Sequence, residues 1–354
     1  MSTRIAVAGA GYFAQFHVQG WQAAGATVVA ICDTDPAKAQ AMSNRFRIGQ
    51  VFGDARAMIE SVAPDLVDVV LPPSAQAPVV LAALAQDIPT VCQKPFCADV
   101  AEAIALTEEA ERRHTPLVIH ENFRFSPWFR ECKRLTDAGH FGRVHGITFR
   151  LRTGDGQGSD AYMERQPYFQ KMPQLLIRET GVHYVDTFRY LMGDVVAVTA
   201  RLRQLNPHIA GEDAGLVIFE FADDRQGLFD GNRLNDHPAD NPRTTMGEMW
   251  LEGERGVMRL DGNARLWWKP HHAPETEHAY PASAEGPFGG ACTALQAHVL
   301  AHLNQGTPLE NDARSYLEIL RIQEAIYFSH ANGRRVRMAT FQPQHPAKTD
   351  QETT

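Results

Sequence analysis

The chain has 354 residues, 44% hydrophobic and 21% charged, a globular composition with length for two domains and a core in each. Thirty-four basic side chains against forty-two acidic ones give a net charge of −8, which argues against nucleic-acid or anionic-membrane partners, because both need a basic face. No apolar run reaches the roughly 18 residues of a membrane span. The five cysteines are odd in number and form no C-x-x-C pair, so neither a disulfide framework nor a zinc knuckle is expected. The opening MSTRIAVAGAG has no cleavage-type segment behind its short apolar run. The expectation is a cytoplasmic protein without a metal site.

Taken in order, Arg4–Ala8 is a short strand running into glycines, and Phe13–Ala24 is a helix. Thr27–Ile31 is a β-branched strand, and Pro36–Phe46 a helix capped by Asp35 with Pro36 at its first position. Asp68–Leu71 is a strand stopped by Pro72 and Pro73. Pro78–Gln86 is a helix, Thr90–Cys92 a strand, Val100–Arg112 a helix and Leu117–His120 a strand. This alternation predicts a parallel sheet with helices on both faces. Beyond Glu121 the pattern changes to strands at Val144–Arg152, Val195–Leu205, Gly215–Phe221, Gly227–Asp230, Met246–Glu252, Gly256–Leu260 and Ala264–Trp268. Short glycine turns between several of them favour antiparallel pairing. Leu175–Leu191, Leu295–Asn304 and Ser315–Ala331 read as helices. The expected organisation is an α/β Rossmann domain over 1–121 and an α+β domain over 122–340 with a large, mostly antiparallel open sheet. A polar tail over 341–354, beginning at Phe341, is expected to have no packed structure of its own.

The first strand ends in Gly9-Ala10-Gly11-Tyr12-Phe13-Ala14, a G-x-G-x-x-A turn. Gly9 permits the tight turn, Gly11 lets a pyrophosphate approach the backbone, and Ala14 keeps the helix close to the sheet. Asp33 ends the second strand 19 residues beyond Ala14, where a carboxylate accepts from adenine ribose hydroxyls. Asp33 would repel a 2′-phosphate, so NAD is expected rather than NADP, although Lys38 and Arg47 lie near.

Two further segments carry chemistry: Gln93-Lys94-Pro95 after the fifth strand, and Glu179-Thr180-Gly181-Val182-His183-Tyr184-Val185-Asp186 on the inserted helix. With the glycine turn, Leu71-Pro72-Pro73-Ser74 and Glu121-Asn122-Phe123-Arg124-Phe125, in this order, the chain resembles the Gfo/Idh/MocA family of sugar and polyol dehydrogenases over roughly residues 4–335. Parts of it look like the branch that oxidises small aldoses, including branched-pentose (apiose-type) dehydrogenases. The resemblance implies that Lys94 positions substrate and nicotinamide and that His183 and Glu179 complete the catalytic set. It also implies cofactor contacts from Tyr12, Phe13, Pro72, Ser74 and Gln76. The family's usual Glu-Lys-Pro is Gln93-Lys94-Pro95 here, its usual Asp four residues before the His is Glu179, and Gln76 stands where His is frequent.

Oxidising a carbinol requires a hydride acceptor and a group that takes the hydroxyl proton, and Lys94 or His183 can do the latter. Glu179, at i, i+4 from His183, either couples to it or forms an ion pair with Arg178 or Arg124. Gln93 either accepts from the Lys94 ammonium or braces the loop before Pro95. Asn122 and Arg124 follow the last strand of the first domain, where ligand crevices form; Arg124 either binds substrate or braces the domain interface. Tyr162 and Tyr168 lie in an irregular stretch that can cover a sugar, with Asp213 and His237 as further pocket candidates. His271-His272 reads as an exposed loop, and Trp267-Trp268 as part of a packed strand. The expected activity is NAD-dependent oxidation of a small sugar or polyol by a homodimer or homotetramer. Two rival readings are a glycosidase using NAD transiently and a non-catalytic sugar sensor.

Overall fold

A computed structural model describes residues 2–281 and 287–343. The first sheet contains β1 (Arg4–Ala8), β2 (Thr27–Cys32), β3 (Gln50–Phe52), β4 (Leu66–Val69), β5 (Thr90–Gln93) and β6 (Leu117–His120). They are all parallel, in the order β3-β2-β1-β4-β5-β6. This is the doubly wound order, whose ligand crevice opens where β1 and β4 send their connections to opposite faces. The sheet is covered by α1 (Ala14–Ala23), α2 (Pro36–Phe46), α3 (Ala55–Val62), α4 (Gln76–Leu84) and α5 (Val100–Arg112). Asp35 caps α2 as expected, its carboxylate accepting from Ala37 N and Lys38 N. The strand β3 and the helix α3 were not expected, because three residues and eight residues give too short a pattern to read.

After the bridging helix α6 (Pro127–Asp137), the second domain is built on β7 (Val144–Arg152), helix α7 (Val182–Met192), β8 (Val195–Arg203), β9 (Ala214–Phe221) and β10 (Gln226–Asn232). It continues through β11 (Gly247–Gly253), β12 (Gly256–Leu260), β13 (Leu266–Pro270) and β14 (Thr276–His278) to helices α8 (Ala291–Gln305) and α9 (Ala313–Asn332) and the edge strand β15 (Val336–Arg337). The nine strands run in the order β14-β13-β12-β11-β7-β10-β9-β8-β15. All pairs are antiparallel except β7 with β10. Val217, Phe219 and Phe221 of β9 face inward to the core with Phe188 of α7 and Ile326 of α9. Leu216 and Ile218 alternate onto the other face and are 48% and 44% exposed, as a one-sided sheet requires.

The domains interlock. Ala291, Leu295 and Val299 of α8 join the core of the first domain with Ile5, Val7 and Trp21. Asn311 O then accepts from Ile119 N, extending the β6 edge. The first domain thus takes back a late segment that a single boundary at 121 does not anticipate. At the tail, Phe341 is buried against Phe328, with ring centroids 5.6 Å apart, because an aromatic ring found a place in the core; the rest of the tail beyond 343 lies outside the described residues. No helix among the described residues is long and apolar enough to cross a membrane.

Candidate active site

The crevice above the carboxyl ends of β1, β5 and β6 is closed on its far side by the second domain. Its walls include Phe13, Gln93, Lys94, Asn122, Phe123, Glu179, His183, Arg233 and Phe288. Lys94 follows β5 directly, and its ammonium donates to Glu179 Oε1 and to the Glu179 carbonyl oxygen, both at 2.6 Å. His183 begins the first turn of α7. Its Nδ1 lies 2.5 Å from Oε1 of Glu121, and its ring stacks on Phe123 at 3.8 Å and 3°.

Glu179 therefore hydrogen-bonds Lys94, and neither His183, whose charge it meets only at a distance, nor Arg178 or Arg124, the other partners the sequence offered. The reason is local. Residues Leu176–Gly181 form a π-helical stretch ahead of α7, which widens the turn and re-aims the side chain. The stretch is tied down by Glu212, whose carboxylate accepts from Leu175 N, Ile177 N and the Tyr327 hydroxyl. Gly211 lets this loop approach, since a Cβ there would lie 2.5 Å from Met172 O. Arg233, buried at the end of β10, donates to Thr180 Oγ1, to Asp155 and, at 3.4 Å, to Glu179 Oε2. Burial alone would raise the Glu179 carboxyl, but Lys94 and Arg233 more than reverse it and hold it below the ordinary carboxylate range. Burial drives Glu121 the other way, up to about 7 against the pull of Lys94. Burial, followed by the Lys94 charge, pushes His183 well below the ordinary histidine value.

Other expected residues divide. Asn122 lines the crevice and donates to Cys292 Sγ. Arg124 does not reach it; its guanidinium grips Asp186 and lies over the Tyr190 ring, and braces the domain interface because a fully buried carboxylate claims it. Gln76 is also drawn inward. Its amide donates to the carbonyls of Leu71, Gln93 and Pro95 and accepts from Cys97 N, so it holds the Lys94 loop instead of a cofactor. Tyr162 is buried beneath Arg233, 4.9 Å from ring centroid to guanidinium carbon, and Tyr168 is exposed; neither lines the crevice, where Gln166 and Phe169 stand in their place. Asp213 accepts from Leu205 N and Asn206 N, and His237 sits 2.7 Å from Arg152 O; both shape loops. Gln93 Oε1 accepts from the Lys94 backbone N–H, and its Nε2 faces His17 Nε2 at 2.9 Å, so the side chain braces the loop and does not meet the ammonium.

The glycine turn fits a dinucleotide. Gly9 has φ +109° and a Cβ there would lie 2.2 Å from Val70 O, whereas a Cβ at Gly11 would meet nothing within 4 Å: the first is needed for the fold, the second leaves room for a ligand. No side chain caps α1, whose first residue follows the turn through Tyr12 and Phe13. Asp33 is anchored at the end of β2 by accepting from Ala10 N and Asp35 N. Pro72 and Ser74 lie exposed at the rim.

With this geometry, comparison with known proteins is direct. Residues 3–121 match the model of the oxidoreductase family with an NAD-binding Rossmann fold, and residues 129–259 match the GFO/IDH/MocA C-terminal domain. The chain belongs to the GFO/IDH/MocA oxidoreductase family. It is 30% identical over 352 residues to D-apiose dehydrogenase from Paraburkholderia graminis, covering 97% of this chain and 92% of the relative. The D-apiose dehydrogenase of Rhizobium rhizogenes is 29% identical over 94% of this chain and 96% of its own. Among solved structures, an oxidoreductase from Agrobacterium radiobacter in complex with NAD+, L-tartaric acid and magnesium superimposes with a TM-score of 0.87 at 26% identity, covering 96% of this chain and 99% of that one. Membership makes this chain an NAD-binding dehydrogenase of CH–OH groups, and Gly9, Gly11 and Asp33 occupy the places from which such a fold holds its dinucleotide.

Four members of the site were not anticipated. Glu121 was legible only as part of a motif, although a carboxylate at the buried end of an apolar strand is itself a signal. Phe123 was quoted without a role. Asp155 and Arg233 lie far apart in the chain and carry no local pattern.

Proposed function

We propose that the protein oxidises a carbinol of a small neutral sugar, with D-apiose and related aldoses as the substrate class, and uses NAD in preference to NADP. One observation carries this reading: Lys94 and His183, from different domains, face one crevice, each held by its own buried carboxylate. Bound NAD supplies the hydride acceptor. An ammonium has three donors, and Lys94 gives two to Glu179, leaving the third to hold the substrate oxygen. His183 Nδ1 is taken by Glu121, so Nε2 is the ring nitrogen placed to receive the hydroxyl proton. Asn122 and Gln166 supply polar contacts for other hydroxyls, and Phe169 an apolar wall. Substrate cations are disfavoured by Arg233 and Lys94 nearby. Asp33 favours NAD through its charge. The exposed apolar residues of the large sheet, Val196, Leu216 and Ile218, support assembly with a second copy.

The test is a panel of D-apiose, D-xylose and myo-inositol with NAD or NADP, followed by absorbance of the reduced nicotinamide. Lys94→Ala and His183→Ala should each lower turnover by roughly two to four orders of magnitude, with NAD affinity nearly unchanged in His183→Ala. Near-normal turnover in both variants would refute the mechanism, and a folded, NAD-binding protein inert to the whole panel would refute the substrate class.

A further inference from the structure

We infer that Glu121 is a positioning residue that makes His183 the proton acceptor, the two side chains holding one proton between Oε1 and Nδ1 and acting as a single base through Nε2. This rests on the proposed dehydrogenase reading.

Glu121 and His183 are both confined. Glu121 N donates to Ile119 O at 2.7 Å, and Glu121 O accepts from the Asn311 amide at 2.5 Å. The residue is thus clamped between β6 and the segment that returns before α9. Phe123 N also donates to Oε1, at 3.3 Å. The His183 ring cannot swing, because Phe123 lies flat against it. An acceptor at Nδ1 fixes the tautomer with hydrogen on that nitrogen and the lone pair on Nε2, the same division of roles by which a carboxylate orients a catalytic imidazole elsewhere.

The charges around the crevice single out the same pair. Three other carboxylates around the crevice each touch a permanent cation: Glu179 meets Lys94 and Arg233, Asp155 meets Arg233, and Asp186 meets Arg124. Glu121 meets the imidazole and the Phe123 N–H but no permanent cation, and its Oε2 is buried with no hydrogen-bond partner among the described residues. Lys94, Arg124 and Glu179 act on it from a distance, and Lys94, Glu179, Asp186 and Arg233 act on His183. His120 and the buried hydroxyls of Tyr184 and Tyr316 complete the surroundings. A carboxylate without a cation is poorly stabilised as a fixed anion, and suits a proton-sharing partner. Burial raises Glu121 to about 7 while it lowers His183, so the pair changes charge near neutrality as one coupled unit. In the reaction the carbinol loses a hydride, with its electron pair, to NAD. The O–H bond breaks, an N–H bond forms at Nε2, and the negative charge of the pair is neutralised.

The experiment uses full-length protein labelled with ¹⁵N-histidine, His183 being assigned by difference with His183→Asn. Ring nitrogen shifts should show hydrogen on Nδ1, and a titration near neutrality that moves down by at least one pH unit in Glu121→Gln. With a sugar that the wild type turns over, D-apiose first, Glu121→Gln should lose about 100-fold in turnover, and the acid limb of kcat/KM should move to lower pH. Glu121→Asp should fall between. Hydrogen on Nε2 in the wild type would overturn the proposal, as would a histidine titration unchanged in Glu121→Gln or a pH limb that does not move. Because the spectra need no sugar, they separate this inference from the substrate assignment.

Discussion

Glu121 should be a liability for stability as well as an asset for chemistry, and the size of the liability can be worked out. Its carboxyl rises from 4.5 to about 7 in the fold, and each tenfold change in proton affinity is worth about 1.36 kcal/mol. Ionising Glu121 inside the protein therefore costs about 3 kcal/mol. A group with a raised folded value binds its proton more tightly when folded. Its contribution is complete below 4.5, the unfolded value, and is lost as pH rises through 7. Glu121→Gln has no such titration. Its stability relative to wild type should thus improve by about 2–3 kcal/mol between pH 5 and pH 8, on top of a constant offset for the altered contact with His183. Denaturant melts of both proteins at the two pH values supply the measurement. A stability difference that is the same at both would mean that Glu121 ionises in the fold as easily as in water, and the account of the pair would fail.

Two more outcomes follow from other parts of the structure. Asp33→Ala should weaken NAD binding and narrow its advantage over NADP, read by titration with each reduced cofactor; wild type binding NADP as tightly as NAD would remove Asp33 from the selectivity argument. On the proposed assembly through the sheet face, Leu216→Lys with Ile218→Lys should give a monomer by light scattering with the crevice intact, whereas a mass unchanged from wild type would place any interface elsewhere.

What the sequence made legible follows from the range of the signals. Asp35, Pro36 and the helix they start are neighbours in the chain, and a cap is a local interaction. The glycine turn and the strand ends of the first sheet are equally local, and so were found. Lys94 and His183 stand 89 positions apart; only the ordered set of motifs joined them. Partners were harder than residues. The pattern placed Glu179 on the same helical face as His183, yet it faces Lys94, because spacing assumes 3.6 residues per turn and Leu176–Gly181 does not keep it. Arg124 had two candidate roles, and burial of Asp186 decided between them. Gln93 too had two candidate roles, accepting from the ammonium or bracing the loop before Pro95. Its side chain takes the second and completes a chain from Lys94 N through Gln93 to His17 and on to Asp68, a link from β5 through helix α1 to β4 that no window of sequence contains.

The two glutamates explain why the lysine and the histidine need not compete for the same task. Glu179 is surrounded by Lys94 and Arg233, stays ionised, and fixes the ammonium in place. Glu121 is as deeply buried but meets no cation, so its proton affinity rises while that of its partner histidine falls. Pairs of titratable groups pushed apart by their surroundings mark which is to hold charge and which is to exchange a proton. A lysine committed to two acceptors on Glu179 is a donor to the substrate oxygen, and deprotonating it would strand that carboxylate beside Arg233 alone. The histidine pair loses nothing comparable when it takes a proton, since protonation neutralises a buried carboxylate that meets no permanent cation. On the proposed mechanism the proton path therefore runs toward Glu121, and the Lys94–Glu179 contact serves to keep the oxygen where that path begins.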